Sequence, residues 1–91
     1  MKLINKLKKA FPKLRKGLSK DFNSCVIGID AEELRLVYDR DLVAEKIAEL
    51  GVTMNGKKVD INYDEAVDWI WWNLSVSDNY VIINFYYQGE K

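Results

Sequence analysis

Three oxygen-bearing side chains, Asp60, Asn62 and Asp64, alternate along the chain just before its most aromatic segment. This is the spacing of the first ligands in an EF-hand calcium loop, which also needs glycine at its sixth position and a bidentate glutamate at its twelfth. The chain has Glu65 and Trp71 at those positions. The pattern therefore fails where the geometry of the calcium loop is most demanding.

The composition includes few of the side chains that enzymes commonly use for catalysis. The chain contains no histidine and one cysteine, Cys25. Histidine-based proton transfer, Ser-His or Cys-His pairs and imidazole metal ligands are therefore excluded, and Cys25, among strand-forming apolar residues, is expected to be a buried, inert thiol. Asp64 and Asp68 are four residues apart and could share a divalent ion, but such pairs are more typical of a solvated helix face. We expect no enzyme activity, no metal site and no cofactor.

The same acidic and aromatic residues are better suited to binding a protein. Tryptophan is enriched at the energetic centres of protein interfaces, and helical spacing places Trp72 away from the core, beside Glu65 and Asp68. An acidic surface could occupy a basic nucleic-acid channel in competition with phosphate. The alternative is that the N-terminal segment covers the tryptophans. The predicted partner-binding surface comprises Asp60, Asp64, Glu65, Asp68, Trp69 and Trp72.

Charge is divided sharply along a chain whose formal net charge is zero. Residues 1–20 carry eight basic and no acidic side chains, so the remaining residues carry an excess of eight acidic ones. Such a segment could dock on its own acidic body, contact nucleic-acid phosphates, bind an anionic membrane surface or lie on an acidic partner protein. Its basic residues are Lys2, Lys6, Lys8, Lys9, Lys13, Arg15, Lys16 and Lys20.

Apolar residues in this basic arm recur at steps of three and four, the pattern of an amphipathic helix; they are Leu3, Leu7, Phe11, Leu14 and Leu18. Proline inside a helix removes a hydrogen bond and disfavours helical geometry in the preceding residue. Pro12 therefore predicts two helical pieces, the second starting near Pro12. We expect residues 1–20 to form a basic amphipathic arm and residues 21–91 a single domain.

The domain has the patterning of an α+β fold. Alternating apolar residues predict a small antiparallel sheet formed by strands over about 25–30, 34–38 and 80–87, the last of them interior because it is apolar on both faces. Helical spacing and capping residues predict helices over about 40–50 and 63–74. No apolar stretch resembles a signal peptide or a membrane span, and the single cysteine cannot form an intramolecular disulfide, so we expect a cytoplasmic protein.

A resemblance to known sequences covers about residues 25–75. The chain resembles a loose group of small, uncharacterised phage and prophage proteins in a strand with a V-x-G core, a strand ending in L-V-Y-D, and a helix with the pattern E-A-x-[ED]-W/Y-I-x-x-N. The matching residues are Val26, Gly28, residues 36–39, Glu65, Ala66, Asp68, Trp69, Ile70 and Asn73. It departs from the group in an apparent insertion over 53–61 and in lacking the complete C-terminal Y-x-G-E-x-x-P pattern.

The resemblance implies a mobile-element setting and no reaction. Small phage proteins of this size often act by occluding a host enzyme, anti-CRISPR proteins among them, which is an analogy by class. The leading hypothesis is a phage-type accessory protein that binds a host or defence protein stoichiometrically and inhibits it, a CRISPR-type nucleic-acid enzyme being one such target. The alternatives are a nucleic-acid-binding accessory protein that uses residues 1–20, and a membrane-surface role for the same segment.

Overall fold

The structure is a computed structural model that describes residues 3–74 and 77–83. It has helices and strands in the mixed order expected of a small α+β fold, which confirms the predicted class. In chain order the elements are α1 (Leu3–Ala10), a 3-10 helix (Lys20–Cys25), β1 (Val26–Asp30), β2 (Arg35–Asp39), α2 (Arg40–Leu50), β3 (Val52–Met54), β4 (Lys57–Val59), α3 (Tyr63–Asn73) and β5 (Tyr80–Ile83).

The main sheet has the described strand order β1-β2-β5. As predicted, the three strand segments share one sheet and β1 pairs antiparallel with β2, with Asp30 opposite Arg35. The expected antiparallel direction is wrong for β5, which runs parallel to β2 with Leu36 opposite Tyr80. Two helices and a hairpin separate these strands, and a connection of that length can return the chain to the starting end of β2.

The predicted interior position of the last strand is also corrected, because β2 is the central strand of the described sheet. β2 contributes the buried side chains of Leu36 and Tyr38. Residues 84–87 of the predicted last strand lie outside the described residues.

Local capping sets the ends of both central helices. The Asp39 carboxylate accepts hydrogen bonds from the backbone N–H groups of Asp41 and Leu42 at the start of α2, and Gly51 ends that helix at φ 79°. Asn62 and Glu65 form a capping box at the start of α3. These contacts involve neighbours in sequence, which is why the helix starts could be predicted.

The basic arm is part of the core. Ile4 of α1 is only 2% exposed and joins the buried cluster that includes Tyr38 and Ile70, while Leu7, Leu14 and Leu18 pack against it. Thirteen apolar residues of the described chain form this cluster: Ile4, Cys25, Val26, Leu36, Tyr38, Val43, Ala44, Ile47, Val52, Ala66, Val67, Ile70 and Ile82.

The prediction of a second helical piece starting near Pro12 is wrong, because residues 11–19 form no helix. α1 ends at Ala10, and the next helical residues are those of the 3-10 helix from Lys20. Between them the backbone makes two hydrogen bonds to the body: Arg15 N donates to Leu34 O at 2.8 Å, and Leu18 N donates to the Tyr38 hydroxyl at 2.9 Å. Among the described residues, no helix is long and apolar enough to cross a membrane.

Candidate functional site

Helix α3 presents one face to the core and the opposite face to solvent. Ala66, Val67 and Ile70 are buried, and Tyr63 and Trp69 are partly buried against the core cluster. α2 packs along this inner side. The exposed residues on the opposite side of the helix point outward.

The outward residues define what we call the outer face of α3: Asp64, Glu65, Asp68, Trp71 and Trp72, all of them exposed. At 100° per residue these five positions span an arc of about 120°. Trp72 is 81% exposed and Trp71 is 54% exposed. Because α3 contains no basic residue, its surface here combines two indole rings with three carboxylates.

The structure thus brings together four of the residues predicted for partner binding, namely Asp64, Glu65, Asp68 and Trp72. Asp60 is exposed in the segment between β4 and α3 and lies outside the helix. Trp69 turns toward the core. It lines an apolar cavity of about 350 Å³ together with Leu18 and Phe22.

Trp71 is the residue of the outer face that the predicted surface left out. It follows Asp68 by three positions, so helical periodicity alone places its side chain beside that carboxylate and on the same face as Asp64, which lies two turns earlier. The spacing of these residues in the sequence was therefore enough to place Trp71 on the outer face. Trp71 was left out because it lies at the margin of the apolar stripe of the helix, next to the residues predicted to face the core.

The basic arm does not cover these two rings, contrary to the alternative that it shields the tryptophans. α1 lies against β1 and the 3-10 helix. Trp71 and Trp72 remain exposed with the arm in place. Ile4 of the arm is buried in the main core, and Leu18 of the arm lines a cavity with Trp69, so the arm packs on the inner side of α3 and leaves Trp71 and Trp72 exposed.

A polar network holds the first turn of α3 against the first turn of α2. The Tyr63 hydroxyl donates a hydrogen bond to Asp41 Oδ1, which also accepts one from Arg40 Nε at 3.0 Å. Arg40 is 8% exposed. Burial, followed by the bond to Asp41, raises the pKa of Tyr63. Two helices far apart in sequence are thereby fixed relative to each other, which sets the orientation of the outer face.

The three carboxylates of the outer face differ in how firmly they are held. Glu65 Oε1 accepts a hydrogen bond from Asn62 N at 3.0 Å as part of the capping box. Within the described residues, the carboxylates of Asp64 and Asp68 form no hydrogen bond or ion pair. Asp64 and Asp68 are consequently the two carboxylates of the outer face that a partner could reach without breaking a contact among the described residues.

The described basic residues of the arm are exposed, but Arg15 is already engaged. Its guanidinium donates to the Glu33 carbonyl at 3.0 Å, to Glu33 Oε2 at 3.4 Å and to the Asp78 carbonyl at 3.4 Å. Arg15 therefore fastens the arm to the body. The exposed lysines are Lys6, Lys8, Lys9, Lys13, Lys16 and Lys20, while Lys2 lies outside the described residues.

The lone cysteine lies in the core. Cys25 is 2% exposed, and burial raises the pKa of its thiol. Raising that pKa lowers the fraction of thiolate, the reactive form, at neutral pH. No cluster of three or more metal-ligating side chains occurs in residues 3–74 and 77–83.

Comparison with known proteins assigns no family to the chain. No family model, curated protein or solved structure matches the chain.

Proposed function

We propose that this protein works by stoichiometric binding to a basic surface on another protein through the outer face of α3. The observation that carries the proposal is the juxtaposition of the exposed Trp71 and Trp72 rings with the carboxylates of Asp64 and Asp68 on one helix face. Both the indole rings and the carboxylates can contribute to recognition of a partner. The rings supply contact area and the carboxylates supply charge complementarity.

The tryptophans would provide most of the affinity. Truncating an interface tryptophan that is fully desolvated in the complex commonly costs about 2 kcal/mol or more. In the free protein the same rings leave apolar surface in water, a state that association relieves. Trp72 is the stronger anchor because it is the more exposed of the two.

The carboxylates would determine which surfaces the helix approaches. Complementary charge accelerates encounter and suppresses wrong partners more than it adds affinity. A surface lined with lysine and arginine to bind phosphate fits this face. The specific form of the proposal is therefore a phage-type accessory protein that inhibits a host or defence nucleic-acid enzyme, a CRISPR effector being one candidate, in line with the resemblance to phage proteins.

The test begins with a tagged chain used to capture a partner from bacterial cells, which is then purified for direct titration. The site variant combines Asp64→Lys, Asp68→Lys and Trp72→Ala. The matched control, Glu32→Lys with Glu45→Lys, makes the same charge change at two exposed positions outside α3. We expect 1:1 binding that the site variant weakens about 100-fold or more and that the control leaves nearly unchanged.

Two further readouts follow from the same mechanism. Tryptophan fluorescence should shift to shorter wavelength when the indoles leave water, and nucleic acid added to the partner should compete with the protein. Full binding by the site variant would overturn the proposal. So would a partner whose contact surface is acidic.

A second candidate, nucleic-acid binding, is favoured by the six exposed lysines that lie within a single segment of the described chain. If about five phosphates of duplex DNA were neutralised, the logarithm of the binding constant would fall with the logarithm of salt concentration at a slope near −4.5. Binding that persists when Lys6, Lys9 and Lys13 are replaced by alanine would rule out this role. No membrane role is proposed, because Ile4 and Leu7 pack on the core.

A further inference from the structure

A cavity of about 500 Å³ lies where the arm turns back across the body after α1. Its wall is formed by the end of α1, by the segment that follows it and by Leu36 of the central strand. The cavity is on the arm side of the molecule and shares no lining residue with α3. It is therefore independent of the protein-binding face.

The charge of the lining is all of one sign. Lys8, Arg15, Lys16 and Lys20 line the cavity, and no acidic residue does. Arg15 is paired with Glu33. Within the described part of the chain, the three lysines form no ion pair. Cationic residues that line one concave site create a positive potential there, which favours an anion with more than one negative charge.

The rest of the lining is largely apolar. Phe11, Leu14 and Leu18 contribute hydrophobic surface, and Ser19 and Asn23 contribute hydrogen-bonding side chains. Sites for small molecules combine an apolar lining with a few polar groups in volumes of roughly 300–1,000 Å³. The volume here exceeds what a bare phosphate fills, so the site suits a ligand with an anionic part and a flat apolar part.

The wall is held in place by contacts to the sheet. Leu18 N donates to the Tyr38 hydroxyl at 2.9 Å, and Arg15 N donates to Leu34 O at 2.8 Å. Tyr38 is fully buried. A ligand would meet a wall that is already ordered, which lowers the conformational cost of binding.

From these features we infer that the cavity binds a mononucleotide or a phosphate-bearing molecule of similar size. The phosphate lies among Lys8, Lys16 and Lys20, and the aromatic ring lies on the apolar surface that includes Phe11. Because the lysines come from both α1 and the segment after it, the bound phosphate joins the two. Binding would accordingly stabilise the folded protein against heat.

The experiment is a titration of the full chain with ATP and AMP as probes, followed by calorimetry and by thermal unfolding. Inorganic phosphate and adenosine test the two halves of the ligand separately, and a single-stranded oligonucleotide tests a polymeric source of the same phosphate. We expect saturable 1:1 binding of a nucleotide, weaker binding of phosphate alone and a raised melting temperature. Backbone amide resonances of Gly17 and Ser19 should shift during the titration.

The discriminating variants replace two lysines at a time. Lys16→Gln with Lys20→Gln should weaken nucleotide binding at least tenfold. Lys57→Gln with Lys58→Gln removes the same charge from exposed positions on β4 and should change it less than twofold. All four side chains are exposed, so both variants are expected to fold, which circular dichroism would verify.

Three results would overturn the inference. The first is the absence of saturable binding by ATP and AMP at millimolar concentration, and the second is equal weakening by the two lysine pairs. The third is binding of the oligonucleotide without binding of either nucleotide, which would assign the lysines to a nucleic-acid strand. Equal affinity for inorganic phosphate and AMP would overturn the placement of the nucleotide's aromatic ring on the apolar surface.

Discussion

At the scale of single residues, the closest constraint in the arm is the contact between Gly17 and Tyr38. A Cβ atom at Gly17 would lie 2.3 Å from the Tyr38 hydroxyl oxygen and 3.0 Å from Leu36 Cδ1. Tyr38 cannot easily move away, because it is fully buried and its ring packs edge-on against Tyr80 with centroids 6.0 Å apart. Glycine is needed here for close approach.

Because of this contact, we expect substitutions at Gly17 and Tyr38 to have non-additive effects on the free energy of unfolding. Gly17→Ala should lower the free energy of unfolding by about 1–3 kcal/mol through overpacking, and Tyr38→Phe by about 1–3 kcal/mol because Leu18 N–H loses its acceptor. The double variant should lose less than the sum, since removing the hydroxyl relieves the shortest contact. Urea unfolding of the four proteins measures the coupling.

Gly28→Ala is the control for this series, because no atom lies within 4 Å of the position that its Cβ would take. It should change stability by no more than about 0.5 kcal/mol. Strictly additive losses in the Gly17 and Tyr38 variants would show that the close contact does not govern this segment.

At the scale of elements, α1 is joined to the body by one side of the helix. Ile4 is 2% exposed, whereas the adjacent Leu3 is 42% exposed. This difference in exposure shows that Ile4 packs in the core and that Leu3 does not. The lysines that lie between them remain in solvent.

We expect Ile4→Ala to lower the free energy of unfolding by about 2–4 kcal/mol, because it removes buried methyl groups and leaves a cavity. Leu3→Ala should cost no more than about 0.5 kcal/mol. Equilibrium denaturation monitored by tryptophan fluorescence compares the two variants. Equal, small losses would mean that the arm is not part of the cooperative core.

Element starts could be predicted because their causes are local. The Asn62 and Glu65 capping box and the turn at Asn55-Gly56, where both φ angles are positive, involve residues within three positions of one another. The direction of β5 could not be predicted in this way. It depends on where the long connection from β2 returns the chain, which no local pattern encodes.

At the scale of the whole molecule, one thiol and two tyrosine hydroxyls are held in their neutral forms by burial, which is complete for Cys25 and Tyr38 and partial for Tyr80. Burial raises the pKa of the Cys25 thiol above its ordinary value of 9.0 and the pKa values of Tyr38 and Tyr80 above 10.0. In each case the folded state retains its proton at a pH where the unfolded state has lost it. The unfolded chain therefore binds fewer protons in alkaline solution.

The sign of the resulting pH dependence follows from this difference. Stability changes with pH in proportion to protons bound by the unfolded state minus those bound by the folded state. This difference is negative above about pH 9, so the free energy of unfolding should fall as pH rises from 9 to 11. Urea titrations at successive pH values measure it, and Tyr38→Phe should show a shallower decline.

A constant free energy of unfolding over the same range would contradict this account. The pH range from 7 to 8 serves as an internal control, because these groups are protonated there in both states. Absorbance at the wavelength of tyrosinate would report the ionisation of the tyrosines directly. The ionisation should coincide with loss of structure.

By itself, the sequence determined the α+β class, the starts of α2 and α3, the strand segments of the main sheet and the division of charge, since each depends on composition or on residues within a few positions. It also placed four residues of the outer face of α3 together through helical periodicity. Only the tertiary structure decided that the arm docks away from Trp71 and Trp72, that β5 is parallel, and that four basic residues line one cavity. Each of these depends on packing between segments distant in sequence, where burial of apolar surface outweighs local preference.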